Sequence, residues 1–493
     1  MKRVIFYLLP IAESVARPVM ALTIITLPIT SLPLLSNLMG GTVVAPAVII
    51  FTGILMVIWV PLYVLRNGVL PGEIKPLLVF VCVAFAASIM AFFLPIPPGK
   101  GNSVFRSELE GLITLAIGIS IYLVFTLWNR DSTYLKWTLR FINLTGMIIL
   151  IWSFIQLVII LFYSGRYPDL IVRLQSLWSS RNLLELGFRN RVTGFAFEPS
   201  WLAHQLNLIF LPYWLAATVT GYSVTKKFLR ISFENILLVG GVVILFFSLS
   251  RVGLAAFLFT LVFIVLRINA WLLGWIQKRF HSLPVLARTG KWAVVPLSLL
   301  MVVFYASLVL GMVFLAARFD PRMARLLALK NIPTNFFDFA AKVDILERVI
   351  YWAGGLRIFS HYPLLGVGLG NSGFFFPQQM PYLAYRSSEI MYTINDAAYL
   401  VNIKSFWVRL LAETGLVGFS LFAAWQAFLW GAGKFLRSNR SALMRTVGWM
   451  GTFAILAFIP EGFSIDSFAL PYLWVSMGLV TAAVVLARRE EKL

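Results

Sequence analysis

Charge is what this sequence has least of. Only 12% of its 493 residues are Asp, Glu, Lys or Arg, 60% are hydrophobic, and the mean hydropathy is +0.87. Soluble domains carry about 25% charged residues, so a water-soluble fold is excluded. Cysteine occurs once, as Cys82 inside an apolar run, which rules out a disulfide framework or a thiolate metal site and leaves packing as its role. Histidine occurs three times, at His204, His281 and His361, with no HExxH and no pair at metal-ligand spacing. A zinc centre is therefore not expected, and no motif calls for a cofactor.

What is present is a series of long apolar runs. About twelve of them are centred near residues 28, 54, 85, 119, 151, 208, 241, 260, 304, 417, 452 and 476. A bilayer core offers no water to the backbone, so each run of roughly 20 residues is expected to cross it as a helix. None alternates as a barrel strand does. The expected fold is an all-α polytopic membrane protein, residues 1–493 forming one transmembrane domain with about twelve spans. The start, MKRVIFYLLPIAESVAR, has signal-peptide features, but Pro10 and Glu13 interrupt its apolar run. It is expected to be an uncleaved, partly interfacial lead-in to the first span.

Lys and Arg number 41 against 20 acids, a formal net charge of +21. With the N-terminus inside, the inner loops collect Arg66/Lys75, Arg130/Lys136/Arg140, Lys226/Lys227/Arg230, Arg267/Lys278/Arg279/Arg288/Lys291, Lys434/Arg437/Arg440/Arg445 and the tail. Glu461 and Asp466 fall in an outer turn that has no base. The positive-inside rule thus places both termini in the cytoplasm. Most of the net charge is topogenic, and a nucleic-acid partner is not indicated. The outer segments 164–191 and 318–404 are nevertheless basic, the first through Arg166, Arg173, Arg181, Arg189 and Arg191 against Asp169 and Glu185. An anionic ligand at the outer face is the simplest reason for positive charge there.

Within the first outer segment, PDLIVRLQSLWSSRNLLELGFRNR sets Leu170, Leu174, Leu177 and Leu184 among arginines at helix-like spacing, as an interfacial helix does. RVTGFAFEPSWLAHQL follows, and Pro199 suits the first turn of a helix, so Glu198 is expected at the mouth of the sixth span. Continuous helical geometry would align Arg191, Glu198 and Gln205, although Gly194 and Pro199 argue against that continuity. Glu198 reads either as a cap on the helix dipole or as a functional carboxylate, because ionisable groups at membrane depth mark sites. The seventh span ends SLSR, placing Arg251 in a tight outer turn. It either snorkels to headgroups or joins Arg191 in gripping a phosphate, for which guanidinium geometry is suited.

The long polar segment 318–404 contains HYPLLGVGLGNSGFFFP, from His361 to Pro377. Gly368–Gly373 matches GxGxxG but lacks the strand-to-helix setting of a dinucleotide site. Its glycines suit a re-entrant turn or a close backbone approach. Before it, Arg348 lies four residues after Asp344 and could simply pair with it along a helix. After it, Lys404 stands at the mouth of the tenth span, and Arg409 and Glu413 are one turn apart, as in a structural ion pair.

Four pieces together, RVTGFAFEPSWLAHQL, the span ending SLSR, HYPLLGVGLGNSGFF and LLAETGLVGF, resemble the O-antigen ligase and polymerase family of lipid-linked glycan transferases. The resemblance covers most of residues 185 to 435 and the twelve-span layout. It implies a GT-C-like membrane fold in a bacterial inner membrane and transfer, without metal or nucleotide, of a glycan from undecaprenyl diphosphate on the periplasmic face. It also implies a lipid-linked donor and acceptor as partners, with room for a chain-length regulator protein, and Arg191 and Arg251 as the diphosphate-handling residues. Ligases of this family show His-[Asn/Ser/Gln], nine residues, then Gly-x-x-Gly. Here Gly415 and Gly418 fit the second half, but Lys404-Ser405 replaces the histidine. That departure favours a polymerase over a ligase. Lys404 would bind phosphate, or act as a base only if its pKa were depressed by desolvation. Glu198, His361 and Lys404 are the catalytic candidates. Arg191, Arg251, Arg348 and Arg409 are the substrate-binding ones. A transporter is the alternative of another class, but no half-to-half repeat supports it.

Overall fold

A computed structural model describes residues 2–38, 41–67, 70–99, 101–182, 190–225, 231–281, 290–327, 335–342, 344–397 and 399–491. Leu184, Glu185, Arg189, Lys226, Lys227, Arg230 and Arg288, all invoked above, lie outside these residues. Among the described residues the chain is all helical. The first half contains α1 (Lys2–Ile25), α2 (Pro33–Leu38), α3 (Val48–Ile54), α4 (Val60–Asn67), α5 (Lys75–Ala91), α6 (Val104–Trp128), α7 (Ser132–Tyr163), α8 (Asp169–Ser176), α9 (Pro199–Gln205), α10 (Leu211–Thr220) and α11 (Phe233–Phe247). The second contains α12 (Arg251–His281), α13 (Gly290–Phe319), α14 (Pro321–Leu327), α15 (Phe336–Lys342), α16 (Leu346–His361), α17 (Ser372–Gln379), α18 (Ser388–Asn395), α19 (Phe406–Arg437), α20 (Ala442–Glu461) and α21 (Tyr472–Glu490).

Among the described residues eight helical stretches are long and apolar enough to cross a membrane, so the chain is an all-α polytopic membrane protein. The other apolar runs correspond to α1, to α9–α10, and to the ranges of α11 and α13. Two of the apolar runs are interrupted by a widened helical turn, Leu55–Trp59 between α3 and α4 and Leu206–Phe210 between α9 and α10. The lead-in and the first apolar run form one helix, α1, which ends at Ile25. Residues around 28 are therefore a turn and not a span centre. Glu13, which interrupts the run, is satisfied there by Arg130 at 2.5 Å. Cys82 lies exposed on α5 and does not pack inside.

α20 and α21 form the buried axis of the molecule, flanked by α6, α10 and α19. Trp425, Tyr122 and Trp474 meet there, with Tyr122 edge-on to Trp425 at 5.7 Å and Trp474 stacked on it at 5.5 Å. Apolar side chains such as Val57, Phe93 and Phe162 point outward, where lipid rather than water solvates them. Long helices begin where a side chain can take up their unpaired amides. Asp131 accepts from Thr133 and Tyr134 at the start of α7, and Ser405 accepts from Val408 at the start of α19. The Ser405 cap defines where Lys404 stands.

The 318–404 segment folds around its own apolar core, including Ile350, Tyr351, Phe374, Phe376, Ile390 and Ile403. Its glycine loop wedges this unit into the bundle. Leu369 donates to Ser88 on α5, and Ser107 on α6 donates to the Gly370 carbonyl at 2.7 Å. α19 breaks at Gly415, which takes φ 63° and ψ −168°. The groups freed by that break pair with the loop: Leu416 and Val417 donate to Pro363 and Leu364, while Val367 and Gly368 donate to Ala412 and Glu413. Backbone at membrane depth needs such internal partners. The GxGxxG glycines thus serve close backbone packing.

Candidate active site

The site is built from a turn, a helix mouth and the folded 318–404 segment. Arg191 donates from Nε to the Ser248 carbonyl at 3.0 Å and from Nη2 to the Leu249 carbonyl at 3.2 Å. Val192 donates to the Phe247 carbonyl at 3.1 Å. The SLSR turn, in which Leu249 is left-handed at φ 49°, is thereby clamped. Arg251 opens α12 directly after it and donates from Nη2 to the Asp344 carbonyl at 2.8 Å. Asp344 is itself left-handed (φ 60°) and lies outside α16. It is therefore not a helical i,i+4 partner of Arg348, and its carbonyl links Arg251 to the start of α16.

Residues 190–198 are not helical, so Arg191, Glu198 and Gln205 do not share a helix face. Gly194, at φ 59°, turns the chain there. Gln156 accepts from the Thr193 and Gly194 amides at 3.0 and 2.8 Å and fastens the strip to α7. Glu198 precedes α9 but makes no capping hydrogen bond. Its carboxylate takes Arg181 Nη1 at 2.9 Å and the Ser200 hydroxyl at 3.1 Å, while Arg181 rests 4.6 Å over the Phe197 ring. Of the expected interfacial helix, α8 is described. It leaves Leu170 and Leu177 exposed and buries Gln175, as a helix lying against lipid does.

Lys404 is left-handed (φ 52°). Its ammonium pairs with Glu389 of α18 and lies 4.7 Å over the Tyr351 ring. Burial alone would lower its pKa, but the hydrogen bond to Glu389 and the nearby Tyr351 and Glu389 outweigh it, and the pKa stands raised. The depression that a lysine base requires is absent. Arg409 reaches Glu413 at 3.0 Å, forming the pair expected of them, and donates to the Asp466 carbonyl at 2.6 Å. Ser372 donates to the same Glu413 oxygen at 2.8 Å. Asp466 accepts from Asn402 at 3.2 Å. Burial raises its pKa; Arg409 and Arg348 oppose that rise, while the Glu198 charge adds to it. Asp466 is thus held beside the start of α19 by Arg409 and Asn402. Among the described residues Arg348 Nη1 is buried without a hydrogen-bond partner.

His361 does not join this group. It is exposed at the far end of α16 with Nδ1 against the Arg357 carbonyl at 2.8 Å. At the helical rise per residue it lies about 20 Å along the axis from Arg348. His204 stands on α9, fully buried, its Nδ1 2.6 Å from Glu461 Oε2. Asn207 donates to the other Glu461 oxygen at 2.6 Å and to the Gly253 carbonyl at 2.8 Å. This hub ties α9, α12 and α20 beside the widened turn, a feature frequent at functional sites. In the sequence Glu461 and Asp466 serve only as topology markers, and Glu389 and Arg181 do not stand out as partners. For the three acids, the signal is their place between apolar runs in a chain poor in acids. Glu461→Ala is expected to lower the melting temperature of the detergent-purified protein, because each buried donor left unpaired costs about 1–3 kcal/mol. An unchanged melting curve would reject the hub.

Among the described residues, no three His, Cys, Asp or Glu side chains converge as metal ligands do. Residues 236–423 match the family model described as O-antigen ligase. That stretch begins in α11, contains Arg251 and the whole outer segment, and ends within α19 past the Gly415 kink. Over these residues the chain is similar to the O-antigen ligase/polymerase family. No curated protein matches the sequence. Arg191, Glu198 and Asp466 lie outside the matched stretch; Arg191 is bonded to it at Ser248 and Leu249, and Asp466 at Arg409.

Proposed function

We propose that the chain is a glycan polymerase that transfers an undecaprenyl-diphosphate-linked oligosaccharide onto another lipid-linked repeat unit at the periplasmic face of a bacterial inner membrane, with both termini cytoplasmic. The observation that carries this reading is the joining of Arg191, Arg251 and the start of α16 through backbone carbonyls at one end of the bundle. Support for polymerase over ligase comes from Lys404, paired with Glu389, in the position where ligases of the family carry histidine.

In this reading the acceptor hydroxyl attacks the anomeric carbon of the donor. The bond from that carbon to the diphosphate oxygen breaks, and the electron pair leaves on the lipid diphosphate. Arg251, on the turn clamped by Arg191, stabilises the growing negative charge electrostatically. Glu198 accepts the hydroxyl proton, being one-third exposed at the helix mouth. Arg348, Lys404 and Arg409 hold polar and anionic groups of the acceptor. His361, remote from them, takes no proton in this scheme.

Purified protein given lipid-linked repeats is expected to produce a ladder of longer glycans; substrate left unchanged would sink the proposal. The family description favours one second reading, a ligase. A product that forms only when lipid A core or another acceptor is supplied would select it. For Lys404 the charge is what matters. Lys404→Arg should retain elongation, whereas Lys404→Met should lose about tenfold, the worth of one charge-assisted hydrogen bond. Because the folded pKa is raised, the ammonium and its pair with Glu389 persist below the ordinary lysine pKa and are lost only as pH rises through the folded value. No activity limb at neutral pH should therefore disappear in Lys404→Arg; its disappearance would restore Lys404 as a base.

A further inference from the structure

At the end of the bundle opposite the candidate site, two arginines converge on one indole. Arg437, the last residue of α19, holds its guanidinium carbon 4.6 Å from the Trp449 ring of α20 and 5.9 Å from Trp430. Arg267 of α12 stands 5.5 Å from the same Trp449 ring and 6.0 Å from Phe263. Phe263 and Trp430 meet edge to face at 5.8 Å and close the wall between α12 and α19. Like charges drawn to one ring repel each other, and a ring face does not satisfy a guanidinium's N–H donors.

Nothing acidic offsets this. From Arg251 through Phe319 the sequence has no Asp or Glu, and from Leu416 to Pro460 it has none either. Among the described residues neither arginine has a carboxylate partner, and Arg437 Nη1 is buried with no hydrogen-bond acceptor. The neighbouring Arg445 is already spent on the Asn439 and Arg440 carbonyls at 3.1 and 2.7 Å. A buried, unpaired donor beside a second exposed guanidinium is an anion site without its anion. The span Arg251–Leu272 has only 28% of its apolar window buried inside the protein, and Trp430 and Trp449 lie about two turns from the ends of α19 and α20 nearest Arg437, where tryptophan is enriched in membrane helices.

We propose that Arg267 and Arg437, walled by Trp430 and Trp449, bind the phosphate of an anionic phospholipid in the leaflet opposite the candidate site, which is the cytoplasmic one in the orientation given above. Two guanidinium forks match the oxygens of a phosphodiester. Basic pockets between membrane helices on the cytoplasmic side select such lipids. The acyl chains would lie along the exposed flank of α12.

The test is retention of phosphatidylglycerol against phosphatidylcholine by the full-length protein in nanodiscs and, after detergent extraction, by native mass spectrometry. Wild-type protein should retain phosphatidylglycerol selectively. Arg267→Gln and Arg437→Gln should each weaken that retention about tenfold, whereas Arg440→Gln, on the same face but outside the aromatic wall, should leave it unchanged. Arg267 is exposed, so its variant carries the test where Arg437→Gln does not fold. Wild-type retention in Arg267→Gln, or an equal loss in Arg440→Gln, would overturn the site. Equal thermal stabilisation by inorganic phosphate would overturn its assignment to a lipid.

Discussion

Arg251→Ala is expected to cut glycan elongation by about 10²-fold or more, the loss typical of removing one preorganised group from a developing oxyanion, while leaving the melting temperature close to wild type. The asymmetry follows from position. Arg251 lies at the surface end of α12, and its hydrogen bond to the Asp344 carbonyl reaches into an outer segment that has its own core. Losing it removes charge at the candidate diphosphate site but opens no cavity. Arg191→Ala should behave differently. Its guanidinium holds two carbonyls of the turn that presents Arg251, so elongation should fall and the melting temperature should fall with it. The double variant should be no less active than the worse single one, because both act on one turn. Full-length ladders from Arg251→Ala would remove the arginine from the mechanism, and losses that multiply in the double variant would separate the two roles.

The second large effect is expected at Gly415. A Cβ placed there would stand 2.2 Å from the Leu364 carbonyl oxygen and 2.5 Å from the Leu365 nitrogen. Both are backbone atoms of a loop that is itself bonded to the kink, so neither can swing aside. The φ and ψ of Gly415 also fall in a region open essentially to glycine alone, a strain of about 1–3 kcal/mol before any overlap. Gly415→Ala should therefore cost about 3 kcal/mol or more in thermal unfolding, and elongation should be lost as the outer segment unseats. Gly431, on the same helix with nothing near its Cβ direction, supplies the contrast. Gly431→Ala should be neutral or stabilising by up to about 1 kcal/mol. Equal melting temperatures for the two variants would show that the kink does not seat the loop.

The Gly415 kink also shows what can be read in advance. In the sequence Gly415 opens a Gly-x-x-Gly pattern, and GLGNSG is a stretch able to approach another backbone closely. Neither says that the two belong together, because each is one side of a pairing between segments about fifty residues apart. The same holds for Glu198. Its place before Pro199 is written in the local chain, whereas its partner, Arg181, stands 17 residues earlier in the sequence. Arg409 and Glu413 are legible as a pair because one helical turn separates them. Asp344 and Arg348 have the same spacing but no common helix, since Asp344 adopts a left-handed conformation that ends the regularity.

By itself the sequence determined the class of the molecule. Hydropathy is a sum over neighbours, and most runs of some twenty apolar residues here became long apolar helices, the run near residue 28 being the exception. The spans, the folded polar segment and the arginine after SLS all follow from local chemistry, as does the resemblance to the O-antigen ligase and polymerase family. Tertiary structure alone decided what each polar group faces. His204 meets Glu461 across more than two hundred and fifty residues, Glu389 rather than a substrate group sits on Lys404, and His361 is carried away from the cluster by the length of α16. The reason is physical: within a bundle a buried charge must find its counterpart on whichever helix packs beside it, and that choice is made by the shapes of all the helices together.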